Sequence, residues 1–532
     1  MLFNSYVFIF AFLPIVFFGF YAIGRYSHNL ALLWLTLASL FFYAWWDIRF
    51  VGLLLGSIVF NYGFGYLIEL RLAKSGGTPK LFLVSAIVAN LILLGYFKYA
   101  NFFAENLNHL AGTTLLIGEV FLPLGISFFT FTQIAFLVDT WQGKVKEYSF
   151  IHYTLFVTYF PHLIAGPVLH HKEMMPQFAR PDTCFINWEN IAVGLSIFVL
   201  GLAKKVLIAD SMGDMATPIF DAVSMGGQPM LFESWIGALA YTLQLYFDFS
   251  AYSDMAIGLS LMFNVRLPLN FNSPYKATSI IEFWRRWHMT LSRFLRDYLY
   301  IPLGGSRHGK SRRYVNLMIT MLLGGLWHGA GWTFVIWGGL HGFYLISNHA
   351  WRNLKQSMGW GDGGRWSNVG AGVLTFLAVV VGWVFFRADS FSSAVNLLQG
   401  MTGMNGFSLP ASLAGWWDNY PDNFPHQDAT GLMARFTPVE LNAIKALVTV
   451  IFGLVIIWGF PNVRQLFRHY RPVCEDLHKE AMDLTVDTIS PGTFGCYFEW
   501  KPVKAFAWAT GALFALAIFG LTHVSEFLYF QF

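Results

Sequence analysis

Apolar stretches long enough to cross a bilayer recur along this chain from Phe3 to Phe527, with few polar gaps between them. A helix of about 20 residues spans the hydrocarbon core, where every backbone N–H and C=O must be satisfied within the protein. The clearest runs lie near 6–23, 30–46, 50–70, 81–97, 192–209, 234–247, 314–327, 332–348, 370–386, 443–460 and 505–522. They predict an all-α, multi-pass transmembrane bundle. Charged residues are 12% of the chain, half the roughly 25% of a soluble domain, so polar side chains could not cover a water-exposed fold. Residues 1–532 are therefore expected to form one membrane-embedded domain.

Two runs are irregular, FLPLGISFFTFTQIAFLVDT at 120–139 and IHYTLFVTYFPHLIAGPVL at 151–169, where Pro and Gly interrupt the pattern. Broken backbone at membrane depth is tolerated where protein buries it or where it lines a cavity. Re-entrant or broken helices around an internal recess are expected. The first run, Tyr6–Tyr21, has no basic stretch before it and no small-residue cleavage site after it, which predicts a retained span. Cys184, Cys474 and Cys496 are too scattered for a disulfide framework or a clustered metal site.

The net charge of +4 is spread over loops, so it reads as topology and not as a nucleic-acid footprint. Basic clusters at Arg71, Lys74 and Lys80, at Arg285, Arg286, Arg293 and Arg296, at 307–313 and at Arg464, Arg468 and Arg471 are expected to face the cytoplasm. The segment 405–437, with Asp418, Asp422, Asp428, Trp416 and Trp417, should face the other side, as an aromatic belt or a docking surface. The polar segment 464–504 holds Pro491-Gly492 and suggests no chemistry.

Histidines sunk in apolar sequence are the first candidates for chemistry, because imidazole titrates near neutrality and a buried polar group is costly unless it is paired or used. His328 is the deepest, in MLLGGLWHGAGWTFVIWGGLHGF (321–343). Gly324, Gly325, Gly329 and Gly331 would open space beside it; the alternative is a histidine that only bonds a neighbouring helix. His341, thirteen positions on, falls on nearly the opposite face of an unbroken helix, so a packing or hydrogen-bonding role is expected for it. In IIEFWRRWHMTLSRFLRDYLY (280–300), Trp284 and His288 at i and i+4 would share a helix face, and Glu282 would pair with Arg286. Arg293 and Arg296 read as arginines reaching for lipid headgroups. Arg285 and Arg286 could instead meet the phosphates of an acyl-CoA or of a phosphopantetheine arm, helped by the loop GGSRHGKSRR (304–313). Asp248 and Asp254, six residues apart on different faces, would partner buried Arg or His and orient the site. There is no GxSxG elbow and no metal-ligand spacing at His162, His170 or His171.

The segments GGLWHGAGWTFVIWGGLHG, EFWRRWHMTLSRFLRDYLYIPLGG, QLYFDFSAYSDMAIG, YFPHLIAGPV, YAWWDIRF and LGYFKYANFF together resemble the membrane-bound O-acyltransferases, and within them the alginate-acetylating members. The likeness runs from the first span to about residue 350, and more loosely to the C-terminal end. It implies a helical bundle with a central tunnel, a cytosolic acyl thioester such as acetyl-CoA as donor, and an acceptor reached from the opposite face. It places the catalytic histidine at His328 and a second polar position at His288, with Trp327 and Gly329 beside them. In alginate-type members a periplasmic acetyltransferase-like partner passes the acetyl group on to the exported polysaccharide, alongside the export machinery. Residence in the bacterial inner membrane follows. Neutral in an apolar recess, His328 would take the acceptor hydroxyl's proton while His288 holds or polarises a reactant; direct transfer and an acyl-histidine intermediate both stay open. D-alanyl transfer to teichoic acid is a second reading within the family. A transporter is a third, and it predicts symmetry between halves that the sequence does not show.

Overall fold

The computed structural model describes residues 1–75, 79–115, 117–118, 120–145, 149–164, 166–361, 363–407, 443–474, 499–521 and 527–528. Cys496 and most of the two segments read as an outer loop and a polar stretch, 408–437 and 475–498, lie outside them. The described residues form helices and no strand. Four helices are long and apolar enough to cross a membrane by length and composition, Arg49–Lys74, Lys80–Ala111, Trp188–Ser224 and Arg365–Arg387, and five shorter apolar helices accompany them. Phe18, Leu37, Ile92, Leu374 and Phe519 face outward from such helices, an apolar exterior that only lipid tolerates at this extent. The protein is a multi-pass membrane protein.

Local sequence sets the helix ends. Ser27, Ser149, Asn187 and Ser279 each accept a backbone N–H of the first turn that follows them, which satisfies a donor the helix itself cannot. The two Pro/Gly-interrupted runs are broken as expected. One starts its helix only at Ile126, after Gly125 at φ +72°, and the other leaves the helix Phe150–Thr158 for a buried irregular turn in which His162 Nε2 meets Phe156 O at 2.8 Å.

The centre of the molecule is the 32-residue helix Leu231–Met262, buried from Tyr241 to Met262 save Gln244. It packs along Trp188–Ala203 and its π-helical continuation Lys204–Ala209. Here Asp254 meets Lys204 at 2.5 Å and Asp248 meets Lys205 at 2.7 Å, with Asp210 also on Lys205 at 2.9 Å. The partners of the two aspartates are thus lysines, not the Arg or His expected. The π-helical stretch turns two successive lysines toward one neighbouring helix, an arrangement that no α-helical spacing signalled.

Against this core lie three further pieces. The short helices Ile280–Arg286 and Met289–Leu295 follow a loop that holds Asn270 and Asn272. The helices Gly309–His328 and Trp332–Ser357 form a hairpin that turns over Gly329–Gly331. The helix Arg365–Arg387 packs beside that hairpin.

Candidate functional site

The hairpin brings His328 to the last residue of its first helix, 6% exposed, at the point where the chain reverses. The flanking glycines serve helix approach. A Cβ on Gly325 would stand 2.2 Å from Phe334 O and 3.1 Å from the Cα of Gly338, and one on Gly329 would stand 2.1 Å from the Phe334 ring. At Gly325 and Gly329 the room that a missing Cβ leaves is taken up by Phe334, in keeping with the close backbone packing that stabilises helix pairs without a hydrophobic driving force.

His288 reaches the same place from the other side. It sits between the two short helices in the left-handed region, φ 42° and ψ 52°, a conformation that costs a non-glycine residue on the order of 1–2 kcal/mol. Backbone bonds hold it there: Met289 N donates to Asn270 O at 2.9 Å and Ser292 N to His288 O at 3.0 Å. This break separates Trp284 from His288, so they do not share a helix face. Trp284 Nε1 instead donates to His341 Nδ1 at 3.3 Å.

The two imidazoles lie with ring centroids 6.4 Å apart. Around His328 stand the rings of Trp337 at 5.1 Å and Phe386 at 5.2 Å, and around His288 those of Phe249 at 4.8 Å and Phe271 at 6.3 Å. Trp327, 4% exposed, contacts both imidazoles, at 5.0 and 6.3 Å. His341 comes close as well, because the helix is broken at Gly329 and the hairpin sets Trp337 between it and His328, with its ring 4.8 Å from His341. Its indole bond and aromatic packing give it the hydrogen-bonding role expected, on a different geometry.

Asn270 organises the His288 side. Its Oδ1 accepts from Thr290 Oγ1 at 2.9 Å and lies 3.1 Å from His288 Nδ1, while its Nδ2 faces Ser253 Oγ at 3.4 Å. A carbonyl oxygen only accepts, so Nδ1 of His288 is the protonated nitrogen and Nε2 keeps its lone pair. No motif marks Asn270; the only signal was a polar residue in an otherwise apolar loop, LPLNF.

Of the two arginines expected to meet phosphates, Arg286 is held by Glu282 at 2.8 Å, as its spacing predicted, and by Asn272 O at 3.3 Å. Arg285 is exposed and, among the described residues, meets no carboxylate. Arg296 pairs with Asp297 near the surface, but Arg293 does not reach for headgroups. It is buried in a bidentate pair with Glu173, Nη1 to Oε1 at 2.5 Å and Nη2 to Oε2 at 2.9 Å. Asp248 and Asp254 belong to the lysine pairs of the core and not to the histidines. Asp254 and Lys204 line a recess of about 130 Å³, together with Tyr246, Phe271 and Asn462. Neither histidine lines that recess; Phe271 touches both it and His288. Among the described residues no three His, Cys, Asp or Glu side chains converge as metal ligands would.

Two buried imidazoles from separate elements, one with its tautomer fixed, suit proton transfer to and from oxygen. The membrane-bound O-acyltransferase family model matches residues 6–387. The chain is 46% identical to a peptidoglycan O-acetyltransferase of Helicobacter pylori over 77% of its length and 81% of that protein. It is 43% identical to a probable alginate O-acetylase of Pseudomonas aeruginosa over 77% of its length and 76% of that protein. To a probable alginate O-acetylase of Pseudomonas putida it is 38% identical over the whole of both chains. This chain belongs to the membrane-bound O-acyltransferase family and is an O-acyltransferase.

Proposed function

We propose that this enzyme moves an acetyl group from a cytosolic thioester, acetyl-CoA, to a sugar hydroxyl of an exported polysaccharide at the bacterial inner membrane, directly or through a periplasmic acetyltransferase-like partner. The observation that carries the reading is the buried pair His328 and His288, 6.4 Å apart, one at a helix end and one in a strained turn. Backbone strain of this kind persists where the surrounding structure holds it and gathers at functional sites. Peptidoglycan and alginate, the polymers for which the relatives are named, both bear sugar hydroxyls, which supports the acceptor class.

In this reading His328 accepts the proton of the acceptor hydroxyl as its oxygen bonds to the thioester carbon. The tetrahedral adduct then expels the thiolate, which takes that proton back from the imidazolium, so the sum is ester plus thiol. His288, with its Nδ1–H on Asn270, offers Nε2 to hold a reactant's hydroxyl. Trp327 and Gly329 shape the wall, and Arg285 with the 304–313 loop would attract the donor's phosphates.

The test replaces His328 with Ala and measures polymer O-acetyl content together with the amount of protein in the membrane. Loss of acetyl at normal abundance is expected, and unchanged acetylation removes the histidine from the mechanism. Labelled acetyl-CoA given to the purified protein, with and without the partner, separates direct transfer from relay: label reaching polymer only when the partner is present identifies the relay.

A further inference from the structure

The helix Gly309–His328 ends on the imidazole-bearing residue, so its last carbonyls and the negative end of its dipole point into the site. Two neighbouring residues of the helix Lys80–Ala111 take up those carbonyls. Tyr99 Oη donates to Leu326 O at 2.8 Å, and Lys98 Nζ donates to Trp327 O at 2.6 Å and to His328 O at 3.1 Å. The same nitrogen lies 5.8 Å from the centroid of the Trp327 ring.

Lys98 falls well inside one of the four long apolar helices, where a charge is costly and marks function by default. The other lysines set in a long span, Lys204 and Lys205, each meet an aspartate. Lys98 meets none among the described residues. Its counter-charge is the helix end that carries His328.

We propose that Lys98 is a positioning residue for acyl transfer, fixing the backbone of Trp327 and His328 and replacing the negative field of the helix end by a positive one at the reacting carbonyl. The proposal rests on the catalytic reading of His328. As the hydroxyl oxygen bonds to the thioester carbon, negative charge builds on the carbonyl oxygen before the C–S bond breaks. An uncapped helix C-terminus would oppose that charge, whereas an ammonium held against it favours it. Lys98 gives up no proton; it acts through its charge and its two hydrogen bonds.

The experiment compares Lys98→Arg, Lys98→Gln and Lys98→Met in the full chain, with acetyl-CoA as donor. Thiol release by the purified protein and polymer O-acetyl content are measured at matched membrane abundance. Lys98→Met and Lys98→Gln are expected to lose on the order of 10²-fold in kcat, the loss typical of removing one such electrostatic group, with KM for acetyl-CoA within about twofold of wild type. Lys98→Arg should restore most of the rate, because it keeps the charge. Lys98→Gln keeps an uncharged NH2 that can donate to the carbonyls, so it still reports if Lys98→Met fails to accumulate. Wild-type kcat in Lys98→Gln, or an arginine variant as slow as the glutamine one, overturns the proposal. His328→Ala, assayed in parallel, separates the two failures. If it keeps full activity the catalytic reading falls, and if it is inactive while the Lys98 variants are not, only the role of Lys98 falls.

Discussion

Replacing Asn270 with Ala should slow the enzyme through His288 without touching the substrate. Its Oδ1 takes hydrogen bonds from Thr290 Oγ1 at 2.9 Å and from His288 Nδ1 at 3.1 Å, and all three residues are buried. Removing that oxygen leaves two buried donors unmet. A stranded buried donor costs about 1–3 kcal/mol, so for two of them roughly 2–6 kcal/mol of native stability should go. If about half of that loss falls on the orientation of the imidazole, the rate drops roughly five- to a hundredfold, since about 1.4 kcal/mol is a factor of ten. The control is Thr290→Val. It removes one donor and strands Val168 N, which bonds Thr290 Oγ1 at 2.9 Å, yet leaves Asn270 to hold His288. The assay is the melting temperature in detergent together with thiol release from acetyl-CoA. Asn270→Ala should lower both, and Thr290→Val should lower the melting temperature while sparing the rate. A wild-type rate in Asn270→Ala, or equal slowing by the two variants, would refute the claim that Asn270 sets the working tautomer of His288.

Gly325→Leu should open the hairpin and displace His328, because the new Cβ would meet the backbone of Phe334 and Gly338. A cost of at least 1–3 kcal/mol follows, read as lost activity and a lower melting temperature, whereas Gly339→Ala, whose Cβ would make only an ordinary 3.6 Å contact with Leu322, should behave as wild type. Arg293→Ala strands Glu173 in a buried site and should cost about 3–5 kcal/mol, visible as reduced membrane abundance. The pair Arg293→Met with Glu173→Gln should cost less than the two single changes summed, and strict additivity would show that the bidentate pair is not coupled.

Hydropathy alone determined that this chain lies in a membrane and that its elements are helices, because a bilayer admits little else for runs of this length. The positions of two breaks were legible too, since the Pro123–Gly125 run and Pro161 with Gly166 bring Pro and Gly together within a few residues. His328 and His288 stood out as polar groups in apolar sequence, and the family resemblance singled out the same two. What they touch did not stand out. Helical spacing put Trp284 and His288 on one face and set His341 apart from His328, and both expectations assumed unbroken helices. The turn at His288 is held by the Asn270 loop, and the helix end before Gly329 by Lys98 and Tyr99 of another helix, contacts that no local pattern encodes. Charges showed the same limit. Glu282 and Arg286 pair as their spacing required, since both lie on one helical turn. Arg293 with Glu173, Asp254 with Lys204, and Lys98 with the end of another helix are pairings between segments far apart in the chain. Only packing brings such groups together, and the low dielectric of the interior then decides their partners, because a charge or carbonyl left alone there is too costly to keep.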